Sequence, residues 1–248
     1  MRAMVLAAGQ GQRLRPITDR IPKPLVPVAG KPMIEYPLRL LRHYGICEVV
    51  INLHHLGDQI ESYLGDGKKL GLEIVYSKEK ELLGTGGGLF KAKSFLADGT
   101  FLVINTDVII DLSIEEVLAY HAAKKATATL VLRPDVLADQ YGSMEIDSAG
   151  RIHRFLDTKT STTERPSGQK LMFTGVQVLE PQIFDYMESS STDRKFSTTM
   201  DTYPRMLLAG EALYGFRFDG FWQDLGTESR IQDTTDKLTR GSVKLHYL

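Results

Sequence analysis

The chain has 248 residues, 42% of them hydrophobic and 25% charged, with a formal net charge of −1. That is enough apolar sequence for a sizeable core, and the near-neutral balance leaves no global field to draw the protein to nucleic acid or membrane. Cys47 is the only cysteine, which excludes an internal disulfide and a cysteine-based zinc site. No apolar run approaches a membrane span and the N-terminus has no signal-peptide pattern, so a cytoplasmic protein is expected.

In chain order, Ala3 to Ala8 is a short apolar run that reads as a buried strand. It breaks into a loop with Gly9 and Gly11. Arg13, Arg15, Arg20, Lys23 and Lys31 follow against one acid, Asp19, while Pro16, Pro22, Pro24, Pro27 and Pro32 keep the segment from forming a helix. Further strands are expected at Val49–Leu53, Ile74–Tyr76, Phe101–Asn105 and Thr127–Leu132. Between them Ile34, Leu38, Leu41 and Tyr44 recur at helical spacing, as do Leu56, Ile60 and Leu64. Leu89, Ala92 and Phe95–Leu96, then Val117, Tyr120 and His121, repeat the pattern. Such strand–helix alternation predicts a parallel sheet covered on both faces, with ligands beyond the carboxyl ends of the strands.

After about residue 133 the pattern becomes mixed. Strands are expected at Tyr141–Ile146, Arg151–Phe155, Leu171–Leu179 and Ala212–Phe218, and a helix over Met200–Ala209. Residues 157–170 are polar and rich in Ser and Thr. Thr227 is placed to N-cap a last helix. With no linker in view, residues 1–248 read as a single domain, about 1–133 forming one half and about 134–248 the other.

A strand that hands over to glycines and fixed cations is a device for holding phosphate. Leu14 stands where a dinucleotide fingerprint has its third glycine, and no Gly-Lys-Ser/Thr ending follows, so dinucleotide and P-loop sites are disfavoured. Backbone N–H groups at Gly9 and Gly11 can approach a triphosphate, while Arg13 and Lys23 can neutralise it. His54 and His55 are adjacent at a strand end and point opposite ways, which makes them loop residues rather than paired metal ligands.

LAAGQGQRLRP at 6–16, continued by PKPLVPVAGKP at 22–32, resembles the signature of the sugar-1-phosphate nucleotidyltransferases, with Gln12 where many members carry Thr or Ser. The resemblance extends to Gly84-Thr85-Gly86-Gly87-Gly88, to Asn105-Thr106-Asp107, and to Phe221-Trp222-Gln223-Asp224-Leu225-Gly226-Thr227. It implies a Rossmann-like α/β fold with a mixed, mostly parallel sheet, a nucleotide half and a sugar half, and no C-terminal β-helix. Nucleotide-binding positions would be Leu6, Ala7, Ala8, Gly9, Gly11, Glu79, Gly84 and Thr85. Asp107 and Asp224 would hold Mg²⁺. Arg13 and Lys23 would be the catalytic cations, and Gly142, Asp157, Thr174 and Gly175 the sugar side. Where many members have Glu-Lys-Pro, this chain reads Asp157-Thr158-Lys159.

The implied reaction joins an NTP and a sugar 1-phosphate into an NDP-sugar and pyrophosphate. A carboxylate at Glu79 only accepts hydrogen bonds, and guanine offers it N1–H and an amino group, whereas uracil offers one N–H. With the LHHLGDQIESYLGDG segment, similar to mannose-1-phosphate guanylyltransferases, this leads to mannose 1-phosphate and GTP as the first expectation. The glycine triplet followed by Leu89-Phe90-Lys91-Ala92 looks as much like N-acetylmuramate-1-phosphate uridylyltransferases, which use UTP. A reading from another class is a regulatory subunit that binds a nucleotide sugar without turnover; retention of Arg13, Lys23, Asp107 and Asp224 argues against it. A homo-oligomer is compatible with the sequence, and the 157–170 loop is expected to close over the sugar.

Overall fold

The computed structural model describes residues 1–135, 143–159, 170–187 and 195–248. Two compact units interleave along the chain. Met1–Leu82, Ile104–Leu112 and Gly220–Leu248 form the first; Leu83–Val103 and Ser113–Asp219 form the second.

The first unit opens with β1 (Arg2–Leu6), a ribbon of β2 (Pro27–Val28) with β3 (Lys31–Pro32), and helix α1 (Glu35–His43). β4 (Glu48–Leu53), α2 (Gly57–Leu64) and β5 (Glu73–Lys78) follow. β1 pairs parallel with β4 and β4 with β5, so Val5, Ile51 and Tyr76 stand in register. The apolar run at the start of the chain is thus buried on both faces, as parallel strands between helices require. In α1 the acid at Glu35 lies in the first turn and Arg42 and His43 in the last, complementing the helix dipole. Gly45, at φ +71, then turns the chain out of the helix. Leu38, Leu40 and Leu41 bury fully against the sheet, about 1.5–3 kcal/mol of transfer free energy each.

The second unit begins with α3 (Gly84–Lys91) and α4 (Lys93–Leu96). The helix expected from about Leu89 therefore starts five residues earlier, with the glycine run as its first turns. A Cβ at Gly86 would collide with the Phe196 ring, so packing rather than propensity selects glycine there. β6 (Phe101–Asn105) carries the chain into the first unit, where β7 (Val108–Ile110) follows. α5 (Ile114–Lys124), capped by Ser113, and β8 (Ala128–Pro134) return it to the second. β9 (Met144–Ile146), β10 (Ile152–Phe155), β11 (Thr158–Lys159) and β12 (Lys170–Leu179) make antiparallel pairs, and β12 also runs antiparallel to β8.

The helix expected over Met200–Ala209 is divided into one wide π turn at Thr198–Thr202 and α6 at Tyr203–Leu208. Pro204 has no N–H to donate and cannot continue an α-helical ladder from the turn before it. β13 (Leu213–Arg217) pairs parallel with β8. The chain ends in the first unit with β14 (Trp222–Asp224), antiparallel to β7, and α7 (Glu228–Thr239). Thr227 caps α7 as expected, its side chain accepting from the Arg230 N–H. Among the described residues no helix is long and apolar enough to cross a membrane.

Candidate active site

The end of β1 is where the first unit gathers charge. Ala7 and Ala8 are buried, and the chain then opens at Gly9. A Cβ on Gly9 would meet nothing within 4 Å, so intramolecular packing does not demand glycine there. Gly11 is different. Its φ is +64, and a Cβ would lie 2.8 Å from Thr18 Cγ2 and 3.0 Å from Lys23 Cβ. The Thr18 hydroxyl donates to the Gly11 carbonyl at 2.9 Å, folding the loop back onto the proline segment. That segment forms short 3-10 turns rather than a helix, and Lys23 opens one of them between Pro22 and Pro24. The prolines fix the backbone from which the ammonium projects.

Lys23 Nζ forms an ion pair with Asp107 Oδ2, and both side chains are largely withdrawn from water. Asp107 sits in the turn between β6 and β7. Thr106, just before it, anchors that turn to β1, its N–H and hydroxyl both donating to the Leu6 carbonyl at 3.2 and 2.5 Å. The Leu225 N–H donates to the Asp107 carbonyl at 2.9 Å, and Asp224 stands opposite Val108 in the β7–β14 ladder. Two acids 117 positions apart in the sequence are thereby brought onto paired backbones. Asp224 is held by Arg230 Nη1 and by the Gly226 N–H at 3.2 Å, both on Oδ1.

Arg13 joins this group through Gly226. A Cβ on Gly226 would lie 2.5 Å from Arg13 Nη2 and 2.8 Å from Cζ, so the guanidinium occupies the space a side chain would take. Arg13 is exposed and makes no ion pair among the described residues. Arg13, Lys23, Asp107 and Asp224 thus form one constellation in the first unit, with Arg230 as an addition that motif reading missed. Arg230 had a signal: it stands three residues after the capping Thr227, where a capping box carries Glu or Gln.

Glu79 is buried beyond β5, and Asn52 Nδ2 donates to its Oε1 at 2.7 Å. The same Asn52 accepts from the Ala7 N–H through Oδ1 at 2.8 Å. One amide therefore ties the loop after β1 to the Glu79 carboxylate. Asn52 was also missed, although a lone amide in the strand VVINL is an unusual residue to bury. His54 and His55 diverge as expected: His54 Nδ1 meets the Glu79 carbonyl at 3.1 Å, and His55 Nε2 meets the Thr18 carbonyl at 2.9 Å.

In the second unit Gly84 and Thr85 open α3 against the segment 196–198. The Gly86 N–H donates to the Phe196 carbonyl at 3.0 Å, and the Thr198 N–H donates to Thr85 Oγ1 at 3.0 Å. Thr85 is thus already engaged with backbone, a contact that the glycine motif alone does not announce. Thr174 is fully buried, its hydroxyl donating to the Val131 carbonyl at 2.8 Å, and Gly175, at φ +88, lies where the β8–β12 register shifts. Asp157 is exposed in the tight turn between β10 and β11. Gly142 lies outside the described residues, as do residues 160–169 of the polar loop.

Among the described residues no cluster of three or more His, Cys, Asp or Glu side chains forms a ready-made metal cage. Asp107 and Asp224 supply hard carboxylate oxygens from adjacent backbones, each balanced by a cation. That donor set suits a magnesium ion that takes its remaining ligands from phosphate oxygens and water.

Residues 2–241 match the family model described as nucleotidyl transferase. A UTP–glucose-1-phosphate uridylyltransferase of Synechocystis is 36% identical over 91% of the chain, and an N-acetylmuramate alpha-1-phosphate uridylyltransferase of Neisseria meningitidis is 36% identical over 94%. A mannose-1-phosphate guanylyltransferase assigned in Arabidopsis thaliana is 35% identical over 91%. The chain spans 60% and 62% of the length of the Synechocystis and Arabidopsis relatives, and 96% of the Neisseria one. In fold it is similar to a Bacillus anthracis structure provisionally assigned as a glucose-1-phosphate thymidylyltransferase. That likeness has a TM-score of 0.79 at 23% identity, over 95% of this chain and 94% of that one. The Rossmann-like α/β class expected from the sequence is borne out.

Proposed function

Because the chain belongs to the nucleotidyl transferase family, we propose that it transfers a nucleotidyl group from an NTP to a sugar 1-phosphate, releasing pyrophosphate. The observation that carries this is the constellation of Arg13, Lys23, Asp107 and Asp224 around Gly226. A sugar-phosphate oxygen attacks the α-phosphorus in line, a new P–O bond forms, and the bond to the β-phosphate oxygen breaks. The nucleophile is already anionic near neutral pH, so no general base is required and catalysis is alignment and charge stabilisation. Arg13, without a carboxylate partner among the described residues, takes the charge that builds on the leaving pyrophosphate. Lys23 neutralises the α-phosphate and the incoming sugar phosphate. Asp107 and Asp224 would hold Mg²⁺, which supplies Lewis-acid neutralisation of phosphate charge when bound. Open space at Gly9 lets a phosphate approach the backbone closely.

For the base, Glu79 only accepts hydrogen bonds, and its carboxylate has about four lone-pair sites, of which the Asn52 amide takes one on Oε1. The guanine N1–H and amino pair and the uracil N3–H are both compatible with such an acceptor. The 36% identity to the Neisseria relative, running along 94% of this chain, favours UTP with N-acetylmuramate 1-phosphate. Mannose 1-phosphate with GTP is the second reading, supported by the similarity in the segment after β4. Pyrophosphate release from UTP, GTP, dTTP, ATP and CTP, each against N-acetylmuramate, glucose and mannose 1-phosphates, tests the proposal. Release in no combination would leave a nucleotide-sugar-binding module instead.

A further inference from the structure

Arg230 is an unusual residue for its place. It lies in the first turn of α7, where the helix dipole favours acids and disfavours a guanidinium. Its backbone N–H is used by the Thr227 cap, while its side chain reaches back to Asp224. The Arg230 and Asp224 side chains are 29% and 20% exposed, so the pair is open enough to exchange yet shielded enough to matter. The Gly226 N–H holds the same carboxylate oxygen, and the Arg13 guanidinium covers Gly226. A divalent cation at Asp224 would face Arg230 as a like charge on the same carboxylate.

We infer that Arg230 is an exchangeable counter-ion: it neutralises Asp224 while no divalent cation is bound, and turns to the polyphosphate when metal and nucleotide enter together. Lys23 stands in the same relation to Asp107. The inference rests on the nucleotidyl-transfer reading. Its consequence is coupling: metal alone is disfavoured because it meets a guanidinium on the same carboxylate, and the guanidinium it releases then favours the triphosphate. A merely structural Arg230 would leave the two affinities uncoupled.

The test is Mn²⁺ titration followed by the electron paramagnetic resonance signal of the free ion, with UTP binding measured by calorimetry both in EDTA and in saturating Mn²⁺. Wild type, Arg230→Gln, Arg230→Lys and Asp224→Asn are compared, each checked by circular dichroism. In Arg230→Gln, Mn²⁺ alone should bind roughly 3- to 10-fold more tightly, and the gain in UTP affinity on adding Mn²⁺ should shrink by a similar factor, the scale of a partly exposed charged pair. Arg230→Lys should lie between that variant and wild type, and it serves if the glutamine variant misfolds. Unchanged or weaker Mn²⁺ binding in Arg230→Gln, with binding lost in Asp224→Asn, would overturn the exchange and leave the metal reading standing. Full Mn²⁺ binding in Asp224→Asn would overturn both.

Discussion

Replacing Gly226 by alanine isolates the placement of Arg13 from every other property of the site. The added Cβ would stand 2.5 Å from Arg13 Nη2, 2.8 Å from Cζ and 2.9 Å from Nη1. Ordinary contact begins near ~3.5 Å, so the guanidinium must retreat by roughly 1 Å. The obstacle is the far end of an exposed, flexible side chain, and Gly226 does not occupy the left-handed region that penalises alanine. Stability should therefore change by less than about 0.5 kcal/mol. A displacement of about 1 Å in a group that stabilises developing charge is worth up to ~100-fold in rate, and a 10- to 100-fold fall in kcat/KM is expected. The assay is pyrophosphate release on purified protein beside thermal unfolding. Adding Arg13→Ala completes a double-mutant cycle, in which the double variant should be no slower than Arg13→Ala alone. Wild-type turnover in Gly226→Ala, or fully additive losses in the cycle, would falsify the claim that Gly226 seats Arg13.

Arg13→Ala itself should lower kcat by about 100-fold with stability within ~0.5 kcal/mol of wild type, because no carboxylate among the described residues loses its partner. Asp107→Asn combined with Asp224→Asn should lower kcat by roughly 100-fold or more and remove the response of rate to magnesium concentration; an unaltered magnesium titration would refute their assignment. Asn52→Ala strips the buried Ala7 N–H of its acceptor and should cost about 1–3 kcal/mol, read by denaturant unfolding. For pH, hydrogen bonds from Thr127 and Tyr186 hold the Glu211 carboxyl below its ordinary range against partial burial. A depressed pKa contributes stability present above the unfolded value and lost as pH falls through the folded one. Thr127→Val with Tyr186→Phe should therefore lower stability at pH 7 and leave it nearly unchanged near pH 3; an equal loss at both values would show that packing, not linkage, is responsible.

Much of the first unit was legible from the chain alone. Apolar runs such as Val49–Leu53 and helical periodicities such as Leu38–Leu41 are local patterns, and a buried parallel sheet imposes them residue by residue. Thr227 announced its helix because capping is chemistry between near neighbours. The glycine, cation and acid motifs marked Arg13, Lys23, Asp107 and Asp224 for the same reason: each is a short stretch whose residue types follow from what its own backbone must approach. Local pattern failed where a distant contact set the outcome. The glycine run at 84–88 became helix because Phe196, more than a hundred positions away, packs on it. What the tertiary structure alone decided was pairing. It returned Gly220–Leu248 to the first unit, laid Arg13 over Gly226, matched Lys23 to Asp107 and Arg230 to Asp224, and set Asn52 between Ala7 and Glu79. These are through-space choices among cations and amides that look alike in one dimension, and only the closed chain brings each to its partner.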